Sequence, residues 1–372
     1  MGLTSNNVLV VVVLSAVLLF AGTVWVWPRL ARRGWRAVGG RVGLLLGTQL
    51  ALFAAVGLAA NQAFGFYASW ADLFGQEKDQ GVVVDHTPGG GPLEVVGSRR
   101  VPGAGSALPQ GGGRVQQVDI VGRTTRIATP AYVYLPPEYF QPRYRTHRFP
   151  TAVVLTGYPG TASALVEKLR YPRTALELAR AGRAKPMILV MLRPTVAPPR
   201  DTECVDIPGG PQTESFFAKD LPDALRTHYR VAEKPGGLGI IGNSTGGYCA
   251  LKIALHHPDV YAAGAGLSAY YKAPVDATTG DLFQGDKALR NRADLRWYVA
   301  HMPAPDTSLL VSSSKQGEGN YGETLKFIEG VEANGRTRIS SIILESGGHN
   351  FNTWRREIPG ALEWMSGRLD RR

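Results

Sequence analysis

The run Gly242-Asn243-Ser244-Thr245-Gly246-Gly247 places a serine between glycines in the spacing G-x-S-x-G. Before it, residues 237–241 (Gly-Leu-Gly-Ile-Ile) are short and apolar, as expected of a strand buried on both faces of a parallel sheet. After it, residues 248–257 are compatible with a helix, which Pro258 closes. A serine on so sharp a strand-to-helix turn is held in a strained backbone with its hydroxyl exposed above the sheet, and flanking glycines avoid the collisions a Cβ would make. Such a hydroxyl attacks an ester carbonyl when a base takes its proton, which makes Ser244 the candidate nucleophile. The same pattern arises by chance in chains rich in glycine and serine, so its weight comes from the strand before it and the helix after it.

Of the seven histidines, His349 is the one suited to serve as base. It follows the last strand-like run in Ser346-Gly347-Gly348-His349-Asn350, where two glycines let the loop bring an imidazole back over the sheet edge. His86 falls in a linker, His147 precedes the first parallel strand, His228 is on a helix and His301 is in a variable stretch. His256 and His257 close the helix after Ser244, where a cation near the carbonyl end is structurally favourable. The acid that orients the imidazole should leave the strand at 308–311. Glu318, in Lys315-Gln316-Gly317-Glu318-Gly319-Asn320, is in the loop nearest that exit and stands first, with Glu329 second. Glu323 and Glu329 lie further on, where a solvated helix face is the plainer reading. The order serine, acid, histidine is that of the α/β hydrolases. An oxyanion hole would take one N–H from Thr245 and a second from Tyr158, in the loop after the first central strand.

These residues need a scaffold. Residues 125–135 read as strands broken at Pro130, and 151–155 as a buried strand leading into Thr156-Gly157-Tyr158-Pro159-Gly160. Residues 162–181 are helical in character with a break at Pro172; 187–191 is the next strand and 217–229 the next helix. Beyond the Ser244 helix come a strand at 262–267, a variable stretch to about 302, a strand at 308–311, a helix around 324–333 and a strand at 339–344. Strands alternating with helices imply an α/β fold, a mostly parallel sheet with helices on both faces. Ser244 then falls at the carboxyl end of a central strand, where such sheets place their sites.

A chain of 372 residues can hold one large α/β domain plus appendages, and this one divides into 1–70, 71–113 and 114–372. Within 1–70, spans at 8–27 and 42–67 are each long and apolar enough to cross a bilayer as a helix. Between them lie Arg29, Arg32, Arg33, Arg36 and Arg41 with no acidic residue. By the positive-inside rule that turn is cytoplasmic, and everything after residue 67 faces outward. A cleaved signal peptide competes with this uncleaved transmembrane hairpin, but the basic segment it needs before residue 8 is missing. Residues 71–113, with Gly89-Gly90-Gly91 and Gly111-Gly112-Gly113, read as a flexible linker too poor in apolar surface to order. The net charge of +11 is concentrated in the turn and otherwise scattered, with no basic block of the nucleic-acid type. No metal-ligand motif or cofactor fingerprint is found, so neither is expected. Oligomeric state is not readable.

From residue 116 to 369 the chain resembles the esterase branch of the α/β hydrolases, which includes esterase D-type enzymes and the antigen 85 mycolyltransferases. The marks in order are Tyr132-Val133-Tyr134-Leu135-Pro136-Pro137-Glu138-Tyr139, Leu155-Thr156-Gly157-Tyr158, the Gly242–Gly247 run, and Gly347-Gly348-His349 with Trp354 five residues on. The resemblance implies the α/β-hydrolase fold and ester chemistry. Many members have His-Gly where this chain has Thr156-Gly157. In the mycolyltransferases the acid is on the helix, in a context similar to Phe327-Ile328-Glu329, whereas esterase-type relatives place it in the preceding loop, so Glu318 and Glu329 both stand. In an outward-facing domain Cys204 and Cys249 can form a disulfide fastening the loop after the 187–191 strand to the Ser244 helix; two buried thiols are the alternative. The expected chemistry is that of an extracellular serine esterase on the cell membrane, acting on an ester or acyl-glycan substrate through an acyl-enzyme. An acyltransferase serving envelope sugars and a catalytically silent module on the same fold are the rival readings.

Overall fold

The computed structural model describes residues 6–31, 34–64, 91–101, 111–198, 200–232 and 235–369. The chain divides into two units, Met1–Val82 and Val83–Arg372. The first holds helices α1 (Asn6–Val26) and α2 (Trp35–Phe64), both long and apolar enough to cross a bilayer. They pack against each other where the Thr23 and Thr48 hydroxyls meet at 3.0 Å, each hydroxyl also bonding a carbonyl one turn back, Leu19 O at 2.7 Å and Leu44 O at 2.8 Å. The second helix begins well before the expected span at 42. Arg36 and Arg41 interrupt the apolar run but are good helix formers, so the helix extends past the point where hydropathy falls. The end of that span at 65–67 lies outside the described residues, as do residues 71–90 of the expected linker and His86.

In the second unit nine strands form one sheet among the described residues: β1 (Leu93–Arg100), β2 (Arg114–Val121), β3 (Ala128–Leu135), β4 (Thr151–Leu155), β5 (Ile188–Leu192), β6 (Leu238–Asn243), β7 (Ala263–Leu267), β8 (Ser308–Gln316) and β9 (Arg338–Ser346). Their order is β1-β2-β3-β5-β4-β6-β7-β8-β9, antiparallel from β1 to the β3/β5 pair and parallel from β5 to β9. Strands β4 to β7 are buried along their whole length, which is why they read as continuous apolar or small-residue runs. Alternate side chains of β4 enter different cores: Val153 and Leu155 join one, Ala152 and Val154 the other. Helices α3 (Ala162–Glu167), α4 (Tyr171–Arg180) and α10 (Phe351–Arg368) cover the second core. Helices α5 (Leu221–His228), α6 (Thr245–His256), α7 (Lys287–Arg292), α8 (Leu295–His301) and α9 (Tyr321–Asn334) lie among the remaining elements.

Three expectations are corrected. The segment 71–113 was to be a linker, yet β1 lies inside it and pairs with β2 from Leu93↔Ile120 to Arg100↔Arg114. Only Leu93 of β1 is buried, so backbone ladder bonds order a strand that apolar content does not announce. Strand β3 runs unbroken through Pro130, which is exposed opposite Asp119; β5 pairs with β3 only at Tyr132–Tyr134, so the missing N–H falls where β3 has a single neighbour. The stretch before residue 302 contains α7 and α8, whose caps Asp286 and Asp294 accept backbone N–H bonds from Leu289 and from Arg296 and Trp297.

Candidate active site

β6 ends at Asn243 and α6 begins at Thr245, leaving Ser244 alone to make the turn at φ 55°, ψ −123°. A non-glycine residue in this region carries strain of about 1–3 kcal/mol and stays there only when its surroundings leave no alternative. The surroundings here are close. A Cβ on Gly242 would meet Gly246 O at 2.3 Å, and one on Gly246 would meet Thr156 O at 2.3 Å, so both glycines are required by contact. The Ser244 N–H donates to Leu267 O at 2.9 Å, tying the turn to the end of β7.

His349 Nε2 lies 2.8 Å from Ser244 Oγ across 105 residues of chain. The imidazole is half exposed and stands edge-to-face on Trp354, with ring centroids 5.2 Å apart, while Trp354 Nε1 donates to Ser268 Oγ at 3.0 Å. On its other side, His349 Nδ1 is 3.7 Å from Glu318 Oε1. That separation is ion-pair reach, longer than a hydrogen bond. The buried Oε1 has no other partner, and Oε2 accepts the Ser314 N–H at 3.1 Å, so the carboxylate is aimed at the imidazole. The two loops meet through glycine: a Cβ on Gly317, at φ 95°, would strike Gly347 O at 2.4 Å, and one on Gly347 would strike Ser314 Oγ at 2.6 Å. Asn320, which accepts from Ser313 Oγ at 2.9 Å and donates to Ala269 O at 2.8 Å, ties the acid loop to the segment after β7. The competing acids are elsewhere: Glu329 is exposed on α9, and Glu323 pairs with Arg296 and Lys326.

The direction of strand addition reverses between β4 and β6, which opens a crevice at their carboxyl ends. Gly157 fills that crevice so closely that a Cβ on it would be 3.0 Å from Ser244 Cβ. Tyr158 follows, and among the described residues its N–H has no protein acceptor. Thr245 opens α6, where a backbone N–H has no intrahelical partner and the helix dipole favours negative charge. A crevice holding a serine hydroxyl bonded to an imidazole, with free N–H groups on its rim, can take a tetrahedral oxyanion.

Two arrangements escaped the sequence reading. The Tyr270 hydroxyl lies 2.6 Å from both Glu203 oxygens and 3.0 Å from Thr245 Oγ1, so a buried carboxyl reaches the residue after Ser244 through one phenol. Burial pushes Glu203 up to about 8, and Asp201 adds to the shift while the Tyr270 bond and Lys252 offset part of it. The adjacent Cys204 is bonded to Cys249 on α6, with Cα atoms 5.7 Å apart. The position of Glu203 beside Cys204 was the available signal. The second arrangement is Glu357 on α10, fully buried below the acid loop, with neither oxygen in a full hydrogen bond. Burial raises its carboxyl to about 8, the Glu318 charge adds to this, and Ser312 and Arg356 act in the opposite direction. The other described histidines have structural partners: His256 and His257 meet Glu214 at 2.8 and 3.0 Å, His301 stacks on Trp297, His147 packs on Phe149 and His228 bonds Ala224 O.

A family model described as "Putative esterase" matches residues 124–365, from the turn before β3 into α10. The chain belongs to this family. An uncharacterized protein of Corynebacterium glutamicum is 23% identical over 281 residues, covering 69% of this chain and 62% of that protein. A diacylglycerol acyltransferase/mycolyltransferase, Ag85A, of Mycobacterium ulcerans is 27% identical over 175 residues, 41% of this chain and 50% of the relative. The chain thus spans less than two thirds of either relative's length. An S-formylglutathione hydrolase structure from Agrobacterium tumefaciens superposes with a TM-score of 0.57 at 18% identity, over 74% of this chain and 99% of that one, which establishes the α/β-hydrolase fold.

Proposed function

We propose that this esterase-family protein is a membrane-anchored, extracytoplasmic serine esterase that works through an acyl-enzyme. The observation that carries the reading is the Ser244 hydroxyl at the elbow, 2.8 Å from His349 Nε2. Ser244 attacks an ester carbonyl as His349 takes its proton, Glu318 orients and stabilises the imidazolium, and the Thr245 and Tyr158 N–H groups hold the oxyanion. His349 then protonates the departing alcohol, and a second nucleophile releases the acyl group by the reverse sequence. The apolar hairpin α1–α2 with its basic turn supports the anchor and the outward placement. A fluorophosphonate probe should label the full chain in detergent but not Ser244→Ala. An unlabelled wild type would overturn the reading in favour of a silent module.

A second reading, acyl transfer to an envelope sugar, is favoured by the similarity to Ag85A, which its name describes as an acyltransferase. Transfer and hydrolysis share the first half-reaction and differ in the acceptor. Turnover of short- and long-chain acyl esters with and without sugar acceptors separates them: acyl-sugar product at the expense of free acid marks the transferase.

A further inference from the structure

Strand β5 ends at Leu192, whose carbonyl accepts the Thr156 N–H at 3.2 Å. The next residue, Arg193, therefore stands at the carboxyl edge of the sheet beside the Thr156–Gly160 loop. Arg193 is half-buried, and among the described residues its guanidinium has no hydrogen-bond, ion-pair or aromatic partner. Burial alone lowers its pKa, with no neighbouring carboxylate acting against that shift. Three other cations of the unit show the usual compensation. Arg200 donates to Thr279 O and Asp281 O, each at 2.6 Å; Lys252 pairs with Glu214 at 3.1 Å; Arg296 pairs with Glu323.

A guanidinium taken partly out of water loses hydration that an internal carboxylate or carbonyl normally replaces. Among the described residues nothing replaces it at Arg193. Only β4 separates β5 from β6, so with strands about 4.8 Å apart the backbone of Arg193 is roughly 10 Å from that of Ser244. An arginine side chain presents a planar fork of donors matched to the paired oxygens of a carboxylate or phosphate.

We propose that Arg193 is a specificity residue that receives an anionic group, carboxylate or phosphate, borne by the substrate near the ester attacked by Ser244. The proposal rests on the esterase reading and adds the class of substrate to it. Matched ester pairs test it with the full chain in detergent. 4-Nitrophenyl hemiglutarate against 4-nitrophenyl valerate places a carboxylate on the acyl side; butyryl glycerol phosphate against butyryl glycerol places a phosphate on the alcohol side.

For at least one pair the ratio of kcat/KM, anionic over neutral, should fall about tenfold or more from wild type to Arg193→Met, mainly through KM, with Arg193→Lys between them. The wild-type ratio should also decline as salt is raised. Fluorophosphonate labelling of each variant reports an intact site. Should Arg193→Met fail to label, Arg193→Lys and the salt dependence decide. Equal ratios in wild type and labelled variants for both pairs, or wild-type ratios indifferent to salt, overturn the proposal while leaving the esterase reading standing. A wild type that labels with no probe and turns over no ester overturns both.

Discussion

Ser244 occupies a backbone conformation that a side-chain-bearing residue abandons unless its neighbours hold it, and Gly242, Gly246 and Gly157 are the neighbours that do so. The hydroxyl so placed meets His349, and the imidazole meets Glu318. Substituting alanine for Ser244 or His349 should lower kcat by about 10⁴-fold or more in an ester hydrolysis assay. Glu318→Gln should cost about 10²–10⁴-fold, whereas Glu329→Gln should stay within about twofold, since that side chain is exposed on α9. A larger loss in Glu329→Gln would move the acid to the helix. Ser244 and His349 were legible because local residues announce them, a strand–glycine–helix turn for one and a double glycine after a strand for the other. The choice among carboxylates was not. It depends on whether the chain after β8 folds back onto the Gly347 loop, a contact between Gly317 and Gly347 that no spacing encodes.

At the scale of elements, the strands that carry the site were readable because they are buried on both faces, and apolar runs are the signal of that burial. β1 was not readable, because its order comes from ladder bonds to β2 and leaves its side chains mostly exposed. The Cys204–Cys249 bridge ties the loop after β5 to the elbow helix over 45 residues. Its reduction, or the Cys204→Ser/Cys249→Ser pair, should destabilise the second unit by about 2–4 kcal/mol in denaturant titrations. Glu357 makes a pH-dependent contribution from α10. Its carboxyl is raised from 4.5 to about 8 in the fold, so the folded state keeps a proton that the unfolded chain releases. Stability from this group is present in full below about 4.5 and is lost as pH rises towards 8. Unfolding free energies of wild type minus Glu357→Gln should therefore fall with pH across that window. A flat difference would mean that the carboxyl ionises at its ordinary value.

The whole molecule joins an apolar helical hairpin to an α/β-hydrolase unit through a segment that includes residues 71–90. The arginine-rich turn of the hairpin sets the expected orientation, with the catalytic unit outside. Protease added to intact cells should remove the chain beyond residue 67, and protection of that part would reverse the topology. In the proposed mechanism the half-exposed His349 imidazole leaves the deacylating position open to water or to a larger acceptor. Either outcome passes through the same covalent state. The most direct test of the account is mass spectrometry of the full chain, acid-quenched during turnover of an acyl ester. The account predicts an acyl adduct on the peptide containing Ser244, absent in Ser244→Ala; turnover that persists in Ser244→Ala, or an adduct on another residue, would contradict it.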